Sequence, residues 1–550
     1  MTARTEGTVG VAAPGARAPD HDLIIAGYGP GGATLANLLG RRGWRIAVLD
    51  VATGIYPKPR AITADHEVLR TFQECGLADS IDTRWAHPGT DYVGLQGQVI
   101  KRFYPAPPPE PLAWMPSWMF MQPELEASLR KGVSRYPGVV EMLGHELLHY
   151  EQDDDGVTAS VRRLADGQST TLTSRWLVGA DGSRSTVRRQ SGAPIEDLAF
   201  DEWWIVVDAW VRGPTRLAPR CVQYCRPSRP GTYIVGPGDL RRWEVKLLPG
   251  EKPEDFASDE SVMKALSSFV DTTHLELHRV AVYRFHALVV ERWREGRVFL
   301  LGDAAHQMPP FLGQGLCAAV RDAYNLAWKL DGVGRLGWNP ALLDTYGIER
   351  KRHVRTVVGH AKDFGLIIGE LDVERAKARD LELGALLASG QSETVRQKFI
   401  PGLEAGLIDH EEDRRPRPGA GELFVQPWVQ DADGFVRLDD RLPPGFAIVS
   451  CDEEPIAWLD ADTAALWERL QGKLAVVTWA GMSDGAKAPI REAREALRVT
   501  ERDGLLTGWL RGHAARAALV RPDRYVYGFA KDASHLRGMI LDIARAVLRR

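Results

Sequence analysis

The chain has 550 residues, too many for one simple core, and is read as two or three domains. With 44% hydrophobic and 26% charged residues its composition is that of an ordinary globular protein, and a net charge of −4 gives no electrostatic reason to expect nucleic acid or an anionic membrane as partner. Cys75, Cys221, Cys225, Cys317 and Cys451 are scattered, which fits a reduced, cytoplasmic setting, and the CxxxC of Cys221 and Cys225 lacks the second pair or histidine cluster that zinc needs, so no metal is expected.

Residues 1–20 are rich in Ala, Gly and Pro without a continuous apolar stretch, and are expected to be a disordered lead-in rather than a signal peptide. No apolar run approaches the roughly 20 residues that cross a bilayer. "LIIAGYGPGGATLANLLGRRGWRIAVLD" then predicts a strand, a glycine turn, a helix over about 31–42 and a second strand ending at Asp50. Gly27, Gly29 and Gly32 have the GxGxxG spacing: the first allows the turn, the second a close pyrophosphate, the third tight helix–strand packing. An acid at Asp50 can bind ribose hydroxyls. A helix bearing Leu69, Phe72 and Leu77 follows, residues 100–120 read as loop, and "QPELEASLRKGVSRY" reads as an amphipathic helix. Alternating segments over 138–178 read as strands.

From about 200 to 290, "WWIVVDAWV", "RCVQYCR", "TYIVGPG", "RRWEVKLLPGE" and "VAVYRFHALVV" are strand candidates separated by Gly and Pro, the pattern of an inserted, mainly antiparallel sheet. "GRVFLLGD" returns to α/β order, with a helix near 315–330, a charged helical region over 340–410 and a linker at 410–422. The remainder reads as a small α/β domain.

Two more glycine motifs decide which dinucleotide is bound. "WLVGADGSRSTVRR" carries a strand into Gly179, Asp181 and Gly182, with Arg184 and Ser185 opening a helix. "GRVFLLGDAAHQMPPFLGQG" carries a strand into Asp303 and a loop whose Pro309, Pro310, Gly313 and Gly315 let a flat ligand approach, followed by a helix N-terminus suited to an anion. A nicotinamide site is usually complete within one Rossmann unit, whereas FAD needs contacts along a longer molecule, so three dispersed motifs favour FAD. "GVGRLG", residues 332–337, also has the GxGxxG spacing, but it follows a helix and no strand precedes it, so its glycines read as a helix stop and loop.

GYGPGG, GADGSRS and GDAAHQMPPFLGQG, in this order, resemble the single-component (class A) FAD-dependent aromatic hydroxylases, and "YPKPRAITADHEVLRTFQECGL", "FMQPELE", "LFVQPWV" and "LVRPDRYV" are most similar to the 3-(3-hydroxyphenyl)propionate hydroxylases among them. The resemblance implies an α/β fold: a discontinuous Rossmann-type FAD-binding domain (21–200 and 291–355), an inserted substrate sheet (201–290), a helical segment and linker (356–418) and a thioredoxin-like domain without redox cysteines (419–550). It implies cofactor contacts from Gly27, Gly29, Gly32, Asp50, Arg60, Gln122, Asp181, Arg184, Gly302, Asp303, Pro309, Gly313, Gln314, Gly315 and Leu316. NADH or NADPH would be the co-substrate, a small phenolic aromatic and O₂ the reactants, and the product a diol hydroxylated ortho to the phenol through a flavin C4a-hydroperoxide. A homodimer is compatible with the resemblance, and neither nucleic acid nor membrane is an expected partner.

Within the substrate sheet, Tyr224, Arg229, Arg242 and Tyr283 are the candidate substrate contacts, with either arginine a partner for a substrate carboxylate. His286 and Pro309 are the candidate catalytic residues, His286 as hydrogen-bond partner of the phenol and Pro309 beside the flavin ring. Trp203, Trp204 and Trp243 read as packing residues. Two other readings share the same motifs: a monooxygenase tailoring a polyketide or other larger aromatic, and a redox-silent FAD-binding protein.

Overall fold

Parallel pairing of distant segments organises the chain. The computed structural model describes residues 19–81, 85–105, 107–391, 393–432, 434–479, 481 and 495–549; the expected lead-in lies, up to residue 18, outside the described residues. Leu23, Ile24 and Ile25 are fully buried, as a continuous apolar run in a parallel sheet covered on both faces should be. The strand His21–Ala26 pairs in parallel with Ile46–Asp50 on one side and Ser169–Gly179 on the other. Val298–Leu300 continues the sheet beside Ser169–Gly179, and Val139–Leu143 continues it beside Ile46–Asp50. Leu49, Ala26, Gly179 and Leu300 fall in one cross-strand row, so three segments far apart in sequence end at the same edge.

The second sheet has nine strands. Ile195–Val211, Leu240–Lys246, Gly231–Val235 and Cys221–Tyr224 run antiparallel in that order, and Leu275–Val290 pairs along the other side of Ile195–Val211. Segments from outside 201–290 complete it. Thr90–Val93 pairs in parallel with Cys221–Tyr224, Val99–Tyr104 forms a hairpin with Thr90–Val93, and Glu393–Val395 adds an edge in parallel with Arg102–Tyr104. The loop expected over 100–120 therefore begins only after Tyr104 and is interrupted by the strand Ser117–Met119. The apolar residues Ile100 and Phe103 lack strict alternation, which hid the first strand. One face of the sheet buries Ile205, Val207, Val222, Tyr233, Trp243 and Val245 against Val262 and Leu266 of the helix Asp259–Leu266. The residues between them point the other way, toward the dinucleotide domain. Two helices, Asp344–Gly369 and Val373–Ala388, occupy the region read as helical.

The C-terminal region forms a seven-stranded mixed sheet with helices Ala461–Arg469, Leu505–Gly512 and Ala533–Val547. It is joined to the first domain by buried charge. Glu349 accepts from Lys329 (2.7 Å), Asn325 (2.7 Å) and both terminal nitrogens of Arg521 (3.0 and 2.7 Å). Burial opposes ionisation of Glu349, but Arg521 and Lys329 outweigh it and hold its carboxyl far below the usual range. Arg70 and Arg524 share Asp439, and the Tyr525 hydroxyl donates to Glu67. The expected linker at 410–422 packs here too, with Ala420 against Leu403, Ile408 and Tyr525. No helix among the described residues is long and apolar enough to cross a membrane.

Glu349→Gln should strand buried positive charge and lower the denaturation midpoint, at a cost of about 3–5 kcal/mol, the scale of breaking a buried pair. Cys451 is the one cysteine of the C-terminal region, and burial pushes its thiol up to about 11. A thiol so protonated is a poor nucleophile. Steady-state turnover of Cys451→Ser should therefore stay within a few-fold of the unaltered enzyme, and a specific loss would show a redox role for this domain.

Candidate active site

The glycine turn is built for an extended anionic ligand. Gly27 has φ +105°, and a Cβ there would lie 2.2 Å from the Ala180 carbonyl oxygen; at Gly32 it would lie 2.1 Å from that of Gly27. At Gly29 it would meet nothing within 4 Å, so the first and third glycines serve chain packing while the second borders open space. The helix Pro30–Gly40 has no side-chain cap, leaving its N-terminal N–H groups for a ligand. Asp50 accepts from the N–H of Tyr28 (3.0 Å) with one oxygen and of Ala52 (2.8 Å) with the other, which fixes the carboxylate while each oxygen keeps acceptor capacity. Buried Gln122 accepts from the N–H groups of Arg60 and Ala61 and donates to Glu126 (2.6 Å). It thus brackets the loop bearing Arg60, whose own side chain is mostly exposed.

Asp181 and Asp303 stand at the ends of the neighbouring strands. One oxygen of Asp181 caps the helix Thr186–Ser191 through the N–H groups of Thr186 (2.7 Å) and Val187 (3.2 Å), and the other is buried without a partner. Arg184 lies exposed beside it. The Asp303 side chain reaches the open cleft, and the protein around it raises its carboxyl pKa by desolvation, against His306, Arg60 and Arg188. Gly302 (φ +61°) and Gly313 (φ +60°) bend the loop, and the helix Gly315–Arg335 begins at Gln314 with no side-chain cap and open space beside Gly315. An uncapped helix N-terminus at each end, acids after three strands along one edge of the sheet and open space at Gly29 and Gly315 fit FAD. Gly27, Gly29, Gly32 and Asp50 would hold the ADP portion, Asp303 the ribityl–pyrophosphate region, and Gly313–Leu316 the ring.

Asp322 and Arg321 anchor this loop from behind. Asp322 accepts from the Gly302 N–H (3.1 Å), His306 Nε2 (2.8 Å) and Arg350 Nε (2.9 Å). Arg321 donates to the Gln314 side chain (2.9 Å), Asp65 (2.6 Å) and Glu67 (2.5 Å). Burial opposes ionisation of Asp65, but Arg321 prevails and its carboxyl is held down at about 2.

Between this loop and the nine-stranded sheet lies a small cavity that both of them line. Pro310, Phe311, Leu312 and Gly313 form one wall. The sheet supplies Thr90, Tyr92, Cys221, Gln223, Thr232 and Glu244 to the other, with Thr63, His87 and Arg396 at the margins. Thr232 donates to Gln223 (2.5 Å). Burial pushes His87 down to about 3, helped by Arg396 and Arg220, so its imidazole is neutral; its Nδ1 accepts from the Gly89 N–H (3.0 Å), which places the proton on Nε2. Burial raises the Glu244 carboxyl to about 7, with Asp208 adding and Arg242 and Arg279 opposing, and it makes no hydrogen bond among the described residues.

The candidate substrate and catalytic residues lie elsewhere. Tyr224 is one residue out of phase with Cys221 and Gln223, and its ring packs on Phe269. Arg242 is on the pocket-side face of its strand, but it is buried against Asp208 (2.6 and 3.0 Å) and donates to the Pro59 and Arg60 carbonyls. Arg229 is paired with Glu251 (2.6 and 2.7 Å), and Tyr283 accepts from Arg279. His286 is partly exposed beside Asp201 (3.5 Å). Pro309 is buried just before the lining run. Glu244, His87, Gln223 and Arg396 are the residues that sequence reading passed over. In "RRWEVK" the phase that buries Trp243 and Val245 puts Arg242 and Glu244 on one face, so the strand pattern did point at Glu244. The decoy glycines Gly332 and Gly334 lie inside the long helix rather than after it, where a Cβ would crowd the Trp338 and Trp44 rings, and Gly337 (φ +70°) follows the helix end.

Comparison with known proteins agrees with this geometry. Residues 20–361 match the family described as FAD binding domain, and residues 421–543 match the HcaD C-terminal domain. The 3-(3-hydroxy-phenyl)propionate/3-hydroxycinnamic acid hydroxylase of Burkholderia cenocepacia (strain HI2424) is 36% identical over 94% of this chain and 95% of its own. A probable NADH-specific resorcinol 4-hydroxylase of Rhodococcus jostii (strain RHA1) is 32% identical over 97% and 96%. The crystal structure of aklavinone-11 hydroxylase with FAD and aklavinone shares the fold, with a TM-score of 0.76 at 24% identity over 96% of this chain and 100% of that one.

Asp303→Ala should weaken FAD binding by about 10- to 100-fold, the scale of a charge-assisted hydrogen bond, whereas Gly334→Ala should purify with its full flavin content. Equal flavin loss in both would contradict the choice between the two glycine motifs.

Proposed function

The chain belongs to the FAD-dependent aromatic hydroxylases, and from that membership we propose that it converts a meta-substituted phenol with a short acidic side chain, of the 3-(3-hydroxyphenyl)propionate kind, to a catechol-type diol. The observation that carries this reading is Glu244: a buried carboxyl without a hydrogen-bond partner, poised near neutrality on the wall facing the flavin loop. Bound FAD supplies the redox chemistry, taking electrons from NAD(P)H and activating O₂ for transfer of one oxygen atom. The name of one relative, a probable NADH-specific resorcinol 4-hydroxylase, favours NADH as donor.

The chain's own residues prepare the ring. Phe311, stacked edge-on against Trp204 (4.9 Å) and Phe285 (6.0 Å), gives the loop side of the pocket a rigid apolar wall. Pro310 and Gly313 hold a flat substrate ring close to the cofactor and keep water out. Ionised Glu244 accepts the phenol proton, which enriches the ring carbon ortho to the hydroxyl in electrons and favours attack on an electrophilic oxygen. His87 is not suited to that exchange, because its conjugate acid is too strong to form near neutral pH. Arg242 and Arg279, held by Asp208, supply fixed positive charge behind Glu244 and keep its pKa within reach of neutrality despite burial.

A panel of phenols with NADH or NADPH and O₂, read by product identification, tests the function. An ortho-diol from the phenylpropionate-type phenol is expected. Oxygenation of fused-ring aromatics alone would favour the larger-substrate reading, and NAD(P)H oxidation by neither class would favour a redox-silent protein. Because Glu244 must be ionised to accept a proton, kcat should rise with pH through about 7. Glu244→Gln should remove that limb and lower kcat by about 100-fold or more, the scale of general-base assistance.

A further inference from the structure

Arg396 differs from the other buried arginines. Arg70, Arg242, Arg279, Arg321, Arg350, Arg521 and Arg524 each have a carboxylate within ion-pair distance. Arg396, 7% exposed, has none among the described residues. Its guanidinium reaches only the Thr63 hydroxyl (3.3 Å) and the Gly313 carbonyl (3.2 Å), both long, and its Nε has no partner. Asp65 acts on it from further away, but that carboxylate is taken by Arg321 (2.6 Å). Leaving a buried charge without a counter-ion is costly, so such groups are normally paired. Arg396 borders the cavity, and an anion entering there would complete it.

The side chain is also well placed to stay put. Glu393–Val395 adds an edge to the substrate sheet in parallel with Arg102–Tyr104, and the turn Arg396–Phe399 follows directly. Phe399 is fixed against Phe103 (5.4 Å) and Phe364 (5.0 Å), so the turn is held at both ends. Sequence reading placed the acid-binding cation in or beside the strands of the substrate sheet, on Arg229 or Arg242. Both are already neutralised by their own carboxylates, Glu251 and Asp208.

We propose that Arg396 is the specificity-determining cation of the pocket, receiving the carboxylate of an aromatic carboxylic acid beside Gly313 and Thr63 and leaving Glu244 for the ring hydroxyl. This rests on the reading of the cavity as the aromatic-substrate site. It assigns selection for acids to the edge segment after the helix Val373–Ala388.

The test separates binding from turnover by using two probes that lack a ring hydroxyl, 3-phenylpropionate and 3-phenylpropionamide, titrated into the FAD holoenzyme and read by perturbation of flavin absorbance. The unaltered enzyme should bind the acid more tightly than the amide. Arg396→Gln should weaken the acid by about 10- to 100-fold while leaving the amide within about threefold, the range set by one charge-assisted contact. Arg396→Lys should keep part of the preference, since it keeps the charge but loses the fork. Equal weakening of acid and amide, or an unaltered enzyme indifferent to the charge, would overturn the proposal. Flavin content and thermal midpoint identify a folding defect in the Gln variant, in which case the Lys variant decides: complete loss of the acid preference with the charge retained would also overturn it. If acid preference depends on Arg396 but no phenol is hydroxylated, the reaction assignment fails and the anchor stands. If phenols are hydroxylated without regard to charge, the anchor fails and the reaction stands.

Discussion

Everything at the cofactor cleft depends on one parallel register. Leu49, Ala26, Gly179 and Leu300 share a cross-strand row, and backbone bonds continue it by one step, from Ala180 N–H to the Ala26 carbonyl (2.7 Å) and from Leu301 N–H to that of Gly179 (2.9 Å). The row places Asp50, Asp181 and Asp303 along one edge, where an open α/β sheet binds its ligand. A one-residue slip would turn each strand's inward side chains outward and misplace the acids. Gly27 makes the register possible at its tightest point, since a Cβ there would overlap the Ala180 carbonyl.

The second dependence is electrostatic and crosses the domain boundary. Tyr525, in the C-terminal region, donates to Glu67 (2.7 Å), which shares Arg321 with Asp65, and Arg321 in turn holds Gln314 at the start of the helix Gly315–Arg335. Around it, Glu349 with Arg521, Lys329 and Asp523, and Asp439 with Arg70 and Arg524, leave little freedom for the two regions to separate. Such pairs are not a measure of net stability, because desolvation offsets much of their attraction. Their consequence is geometric: a side chain of the C-terminal region helps fix the start of the helix Gly315–Arg335.

The glycine motifs and acids of the cleft were legible in the sequence, and the lining of the cavity beside it was not. Gly27, Gly29, Gly32, Asp181 and Asp303 sit at strand ends in short motifs whose spacing is dictated by backbone geometry, so local reading sufficed. The pocket is assembled from Thr63, His87, Glu244, Phe311 and Arg396, residues that share no local pattern and meet only through sheet pairing. Arg229 and Arg242 were attractive because they are cations in or beside strands, but charge alone does not show whether a counter-ion is already present. Arg242 has Asp208 opposite in register, and Arg229 has Glu251 across a turn. Tyr224 misses the cavity lining by one position of alternation. Only its unpaired burial marks Arg396.

The central claim is that one aromatic acid lies between the flavin loop and the sheet, oriented by Glu244 and Arg396. A crystal structure of the FAD complex with 3-(3-hydroxyphenyl)propionate tests it most directly. The account predicts the flavin ring beside Gly313–Leu316, the ligand hydroxyl on Glu244, the carboxylate on Arg396 and the ortho carbon facing the flavin. A ligand seated outside this cavity, or reversed so that its carboxylate meets Glu244, would contradict it.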